Sequence, residues 1–187
     1  MQTLHFKTSA DFRVWLEKNH AQSEGICLRI FNKNSHEQSL TYAEALDQAL
    51  CYGWIDGQKK PFDTLSWLQK FTRRRPKSRW SKINTQHVER LIKAGAMTPA
   101  GMEAVEAAKA DGRWEIAYAS SRSASPPEDF LKQLSKNKKA EAFFKTLNKA
   151  NVYAIVYRLE TAKKPETREK RMKTILAMME QGKAFHS

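Results

Sequence analysis

The sequence lacks any long apolar run. Charged residues recur throughout its 187 residues, whereas a helix that crosses a bilayer needs about 20 consecutive apolar residues. The first residues, MQTLHFKTSADFRVWLEK, also lack the basic start, apolar stretch and small-residue cleavage site of a secretion signal. We therefore expect no transmembrane segment, no secretion signal and a cytoplasmic location.

Cysteines and metal-ligand patterns are scarce as well. The two cysteines, Cys27 and Cys51, form no CxxC pair, and we expect small buried residues in a reducing compartment rather than a disulfide. None of the five histidines stands at metal-binding spacing from another ligand. The motifs GxGxxG, GxxxxGK[ST] and GxSxG are also missing. We expect no metal and no cofactor, and a non-enzymatic role is favoured without an enzyme being excluded.

Acidic residues are outnumbered by basic ones in residues 73–187. The net charge is +13, with 41% hydrophobic and 10% aromatic residues, which is typical of a packed globular protein. Residues 1–72 hold eight Lys/Arg and eight Asp/Glu, whereas residues 73–187 hold 25 and 12. Charge confined to one part of a chain creates a positive field that attracts polyanions. The alternative is that the charge only keeps the protein soluble.

The pattern over residues 1–118 predicts an α+β region with a small, mostly antiparallel sheet. A strand around Leu4–Phe6 precedes a helix capped by Thr8 or Ser9, and ICLRIF alternates as a strand does. Thr41 and Glu44 form a capping box before the clearest helix.

Two strands joined by a turn are predicted within WIDGQKKPFDTLSWLQKFT. We expect Leu65, Trp67 and Phe71 to share one face of the second strand. Ser81 or Asn84 is expected to cap the next helix, and TPAG opens another.

The remaining sequence predicts a linker and a helical subdomain. Residues 119–127 are rich in Ser and Pro and predict a linker. Residues 128–187 carry apolar stripes at helical spacing, which predict three or four packed amphipathic helices. The stripes are Ala140, Phe143, Phe144 and Leu147; Val152, Ile155, Val156 and Leu159; and Met172, Ile175, Leu176 and Met179.

The stretch FTRRRPKSRWSKIN, residues 71–84, is the candidate binding site. From Lys70 to Lys82 it holds seven Lys or Arg and no acid, between a predicted strand and a predicted helix. Cations and short polar donors before a helix N-terminus suit a phosphate or carboxylate, and Trp80 offers a ring for a base. The alternative is a solvated loop with Trp80 in the core. The candidate anion-binding or nucleic-acid-binding residues are Arg73, Arg74, Arg75, Lys77, Ser78, Arg79, Trp80, Ser81 and Asn84.

A second cluster lies in CYGWIDGQKK. Trp54 and Asp56 stand between Gly53 and Gly57 at a predicted helix-to-strand passage, which makes them a possible pocket. Asp56 there would orient arginines or act as a base, or it would bond to its own backbone in a turn. Asp63 is a second carboxylate nearby in sequence, but spacing alone defines no acid/base pair.

Several linked motifs resemble the bacteriocin-protection, YdeI/OmpD-associated family. They are LTYAEALDQALCYGWIDGQ, FTRRRPKSRWSKIN, VERLIKAGAMTPAG, AKADGRW and AKKPETREKRMKTIL, in that order. The resemblance implies a part in tolerance of bacteriocins or cationic peptides and a link to an outer-membrane porin, with no catalytic residue. The matching positions are Gly53, Trp54, Asp56, Gly57, Arg75, Pro76, Ser78, Trp80, Ser81, Asn84, Thr167, Arg168 and Arg171.

Together these observations predict a bacterial, stress-associated protein that binds an anionic partner through residues 73–84. That partner is nucleic acid or a phosphorylated small molecule. A chain of this charge should repel a cationic peptide, so we expect any protective role to be indirect. The alternatives are an enzyme with a site around Trp54, Asp56 and the arginines, or an interaction adaptor for an envelope factor. The oligomeric state is left open.

Overall fold

A computed structural model of the chain describes residues 1–118, 124–162 and 164–186. Among these described residues, strands occur only in the first half of the chain and helices occur in both halves. The strands are β1 (Gln2–Leu4), β2 (Ile26–Phe31), β3 (Trp54–Pro61) and β4 (Ser66–Arg73). The helices are α1 (Ser9–Asn19), α2 (Tyr42–Cys51), α3 (Lys82–Lys93), α4 (Pro99–Ala110), α5 (Glu128–Leu134), α6 (Lys138–Phe144), α7 (Lys149–Glu160) and α8 (Pro165–Glu180).

Local capping signals fix where the first helices begin. The side chains of Thr8 and Thr41 each accept from a backbone amide three residues on, and an acidic side chain bonds back to each cap. These reciprocal bonds satisfy amides that otherwise lack a partner in the helix. Thr98 accepts from the amide of Gly101 in the same way at the start of α4.

The sheet has the order β1-β2-β4-β3. β1 pairs with β2 in parallel, and the other two pairings are antiparallel. A bulge between Asp56 and Lys59 shifts the register of β3 against β4. This sheet with its helices, followed by a helical C-terminal region, confirms the predicted α+β class.

The sheet has two unlike faces. On the inner face, Ile26, Leu28 and Ile30 of β2 and Phe71 of β4 are buried, and Phe71 lies 5.9 Å from the ring of Phe12 on α1. On the outer face, the alternate residues of β2 are half-exposed. Burial of the inner side chains is therefore the main hydrophobic contribution of the sheet.

Two local predictions differ from the structure. Leu65 precedes β4 and is 48% exposed, and the buried residue between Trp67 and Phe71 is Gln69. Gln69 tolerates burial because its amide donates to the carbonyl oxygens of Gly57 and Lys70. The first strand ends at Leu4 rather than beginning there.

Two compact groups of residues can be distinguished, residues 1–79 with 84–115 and residues 80–83 with 116–187. In the second group, side chains from α5, α6, α7 and α8 form one buried cluster. Its buried members are Phe130, Leu134, Ala140, Ile155, Leu159, Ile175 and Met179. Members of all three predicted helical stripes therefore pack together, although Val152 and Val156 are not part of this cluster. Residues 119–123 of the predicted linker lie outside the described residues, and the linker stays a prediction.

Candidate functional site

The basic loop, residues 73–79, continues directly from β4. The amide of Arg74 donates to the carbonyl oxygen of Gly53 over 3.0 Å, which ties the start of the loop to the end of α2. Gly53 has φ +71°, and a Cβ there would lie 2.9 Å from the carbonyl oxygen of Ala100. Only glycine adopts this backbone without strain or a steric clash, so the GW dipeptide of the sequence positions the loop.

Arg74 braces the loop from within. It is half-buried, and its Nη1 donates to the Oγ of Ser78 over 3.4 Å and to the carbonyl oxygen of Arg79 over 3.1 Å. The amide of Ser78 donates to the carbonyl oxygen of Arg75 over 2.9 Å, which closes a turn around Pro76. Two of the candidate binding residues, Arg74 and Ser78, therefore take part in holding the loop conformation.

Arg113 braces the same loop from outside. This guanidinium is almost fully buried and donates to the carbonyl oxygen of Ser78 over 2.8 Å and to that of Ala107 over 3.1 Å. Its Nε lies 2.6 Å from a carboxylate oxygen of Asp111. We had not predicted this role, although AKADGRW stands among the motifs quoted above. The Asp-Gly-Arg sequence at residues 111–113, directly after a predicted helix, is the pattern that could have indicated it.

The other four loop cations face solvent. Arg73, Arg75, Lys77 and Arg79 are exposed, and Arg73 also donates to the carbonyl oxygen of Ala21 over 3.3 Å. The loop contains no acidic residue. The loop therefore exposes four positive charges within seven residues on a conformation held by the bonds of Arg74, of Arg113 and of the turn around Pro76.

The residues after the loop are buried. Trp80 is 2% exposed, and Ser81 and Asn84 are each 7% exposed. Trp80 and Ser81 group with residues 116–187, where the carbonyl oxygen of Trp80 accepts from the amide of Tyr118 over 3.1 Å. Asn84 lies within the first turn of α3 and groups with the first unit. Of the candidate residues, the structure thus brings together those at positions 73–79. A nucleic-acid base could stack on Trp80 only if the indole ring became exposed.

Trp54 and Asp56 have different environments. Trp54 is fully buried, and its Nε1 donates to the carbonyl oxygen of His20 over 3.1 Å. Asp56 is half-buried and accepts from the hydroxyl of Tyr42 over 2.9 Å. Burial, with the nearby charge of Asp56, raises the pKa of Tyr42 well above its usual range. The phenol therefore stays protonated and can donate a hydrogen bond to this carboxylate at physiological pH.

Asp63 occupies a separate position. It lies in the turn between β3 and β4, where it accepts from the amide of Leu65 and the hydroxyl of Ser66 and pairs with Arg29. These bonds lower the pKa of Asp63, with the bond from Ser66 contributing most. Its role is to shape the turn.

The described residues hold no cluster of three or more His, Cys, Asp or Glu side chains that could bind a metal ion. Within the same residues, no helix is both long enough and apolar enough to span a membrane.

Two family models match the chain. The model of a family described as a domain of unknown function (DUF8412) matches residues 4–104, more than half of the chain, and the chain belongs to that family. A model described as bacteriocin-protection, YdeI or OmpD-associated matches residues 123–182, so the resemblance inferred from the sequence is confirmed for that region. No curated protein and no solved structure matches the chain.

Proposed function

We propose that this protein binds nucleic acid through the phosphate backbone, using the exposed cations of the basic loop. The observation that carries the proposal is that four cations of the loop are exposed while its backbone is held in place by hydrogen bonds. Arg74, with Arg113, holds the loop by bonds to backbone carbonyl oxygens, while the four cations at 73, 75, 77 and 79 are exposed. A loop whose backbone is held in place presents its positive side chains to phosphates at a smaller cost in conformational entropy than a disordered segment does.

An extended polyanion fits this arrangement better than a small phosphorylated ligand. Small-ligand sites are concave and enclose most of the ligand, with a few converging polar groups. The four loop cations are instead exposed within seven consecutive residues, and several exposed cations suit a partner that carries many phosphates.

The proposal includes an indirect role in protection against stress such as exposure to bacteriocins. The model that matches residues 123–182 is described as bacteriocin-protection, YdeI or OmpD-associated. With a net charge of +13 the chain should repel a cationic peptide. We place the protein in the cytoplasm, where a protective effect would follow indirectly from nucleic-acid binding.

The test is fluorescence anisotropy with labelled DNA and RNA at about 50 and 200 mM salt. If all four exposed cations contact phosphates, affinity for duplex DNA falls about 100-fold over that range through counterion release. Changing Arg73, Arg75, Lys77 and Arg79 together to Gln should abolish most of the binding and most of the salt dependence.

The matched control removes the same charge elsewhere. Lys132, Lys136, Lys138 and Lys139 are four exposed lysines of the helical region, and changing them together to Gln alters the net charge equally. We expect this control to retain most of the affinity. If both variants lose the same affinity, or neither does, then the loop is not the binding site.

A further inference from the structure

The outer face of the sheet is a feature that the proposed role of the basic loop leaves unexplained. Residues that pair across neighbouring strands point to the same side of a sheet. The register pairs Cys27 with Lys70 and Arg29 with Leu68, so these side chains share the outer face. All four are half-exposed or exposed, whereas their sequence neighbours on the inner face are buried except for the half-buried Trp67. This face is thus accessible along the middle of the sheet.

The outer face is basic. Lys60 of β3 pairs with Leu68, which places it on the same side as Lys70, and both lysines are exposed. A Cβ placed on Gly57 would lie 3.5 Å from three carbons of the Lys70 side chain, so the lysine stem runs across β3. The one acidic residue in the four strands, Asp56, pairs with the buried Phe71 and therefore lies on the inner face.

An aromatic surface lies at the far end of this face. The guanidinium carbon of Arg29 lies 4.4 Å from the ring centroid of Phe31 and 4.8 Å from that of Phe62. Arg29 is fixed further by Ser66 and Asp63, at 2.9 and 2.7 Å. Phe62 is 52% exposed in spite of this contact. A large ring held in place and half open to solvent suits stacking against another flat group.

β4 leads from the outer face to the basic loop. It carries Lys70 on this face and ends at Arg73, where the loop begins. The side chain of Arg73 itself lies on the inner side, because Arg73 pairs with the buried Trp54. From Ser66 to Arg73 the strand extends about 24 Å at its usual rise per residue. A path of positive charge with an aromatic ring at its end is the arrangement by which proteins bind single strands, since unpaired bases can stack on aromatic side chains.

We propose that the outer face binds single-stranded nucleic acid, with a base stacked on Phe62 and the backbone passing Lys60 and Lys70 toward the basic loop. This inference rests on the proposed function and specifies its partner. Duplex DNA satisfies phosphate contacts at the loop but offers no unstacked base to Phe62. The protein therefore prefers single strands to duplexes.

The test compares variants of outer-face residues with a variant of Lys59, which lies on the other side of β3. Binding of a labelled oligothymidine of about 15 nucleotides, a length within the range of known single-strand sites, is measured beside a duplex of equal length. Phe62→Leu, which keeps an apolar side chain, should weaken single-strand binding by at least about fivefold, the lower end of the effect of losing one stacked base. Phe62→Tyr should preserve it.

The lysines provide a second and independent readout. Changing Lys60 and Lys70 together to Gln should reduce the salt dependence of single-strand binding by about 1.4 in log-log slope. Lys59→Gln is the control, because Lys59 is exposed next to Lys60 but lies on the inner side, 4.0 Å from the ring centroid of Trp67. Circular dichroism and thermal melting verify that each variant is folded.

The outcomes separate this inference from the proposed function. If the Phe62 and lysine variants keep single-strand affinity within twofold while the four-residue loop variant loses binding, the outer face is not the site and the proposed function stands. If Phe62→Tyr weakens binding as much as Phe62→Leu, stacking is refuted. If the protein binds neither form of nucleic acid, or binds an acidic protein only, both proposals fail.

Discussion

Replacing Arg113 by Ala tests whether the basic loop is fixed by a buried guanidinium. Arg113 is 7% exposed and donates to the carbonyl oxygens of Ser78 and Ala107 at 2.8 and 3.1 Å. The substitution removes both bonds at once and leaves two part-buried acceptors to be satisfied by water. Neither Ser78 nor Ala107 is itself changed, so any loss of stability is due to the missing hydrogen bonds and the missing packing of the arginine side chain.

The expected cost is about 3 kcal/mol. Hydrogen bonds from a charged donor contribute roughly 1.5–3 kcal/mol each, and their sum is reduced by relaxation around the vacated site. The ion pair with Asp111 adds little, since the Asp111 side chain is 49% exposed and pairs with that much solvent access contribute about 0–1 kcal/mol. Asp111→Asn should therefore cost much less than Arg113→Ala. Arg113→Lys should recover only part of the loss, because an ammonium lacks the fork that reaches two carbonyl oxygens.

Urea unfolding monitored by tryptophan fluorescence measures these differences. With a slope of about 2 kcal/mol per M, Arg113→Ala should lower the midpoint by roughly 1.5 M. Lys109→Ala is the matched control, because it removes a cation from the same region whose ion pair with Glu106 is long, at 3.8 Å, and exposed. We expect the control to shift the midpoint by less than about 0.3 M. An equal shift in Arg113→Ala and Lys109→Ala would refute the brace.

Three further changes test other parts of the fold. Gly101→Ala should cost about 2–4 kcal/mol in thermal or urea unfolding, because a Cβ would overlap the carbonyl group at the end of α2. Asn151→Ala should accelerate hydrogen exchange of the Phe185 and His186 amides, because both donate to the Oδ1 of Asn151, whereas Asn137→Ala should not, because its side chain accepts from the amide of Ala140 instead. Bonds from Thr41 lower the pKa of Glu44, so stability from this pair is present above the unfolded pKa of about 4.3 and declines as pH falls through the lower folded value. Thr41→Ala should raise the Glu44 pKa in an NMR titration.

Features set by neighbouring residues were predictable from the sequence. The capping box of Thr41 and Glu44, and the apolar stripes of the C-terminal helices, involve residues three or four apart. Such patterns depend on helix geometry alone. The alternation of ICLRIF likewise predicted β2 and its buried side.

Features that depend on distant partners were not predictable in this way. The burial of Gln69 depends on a carbonyl oxygen supplied by another strand, at Gly57. Arg113 binds Ser78, 35 residues away in the sequence. The sheet order also joins β2 to β4 rather than to β3. A single sequence contains no local pattern that indicates these pairings. The partners lie far apart in the chain, and each pairing becomes favourable only after the chain has folded.

The number of charged residues in the sequence is larger than the number of charges that a partner can contact on the surface. Arginines throughout this chain donate to backbone carbonyl oxygens, including Arg13, Arg168 and Arg171 outside the basic loop. Those guanidinium groups help to hold the fold together, so the net charge of +13 overstates what a partner can contact.

Within the loop, exposure does not follow the alternation of β4. The exposed cations stand at positions 73, 75, 77 and 79, but Pro76 between them is exposed as well, and the bond from the amide of Ser78 to the carbonyl oxygen of Arg75 turns the chain there. Successive side chains point to opposite sides only while a chain stays extended, and β4 ends at Arg73. The sequence RRRPKSR therefore does not distinguish the bracing Arg74 from its exposed neighbours, because the bonds of Arg74 to Ser78 and Arg79 form only in the folded loop.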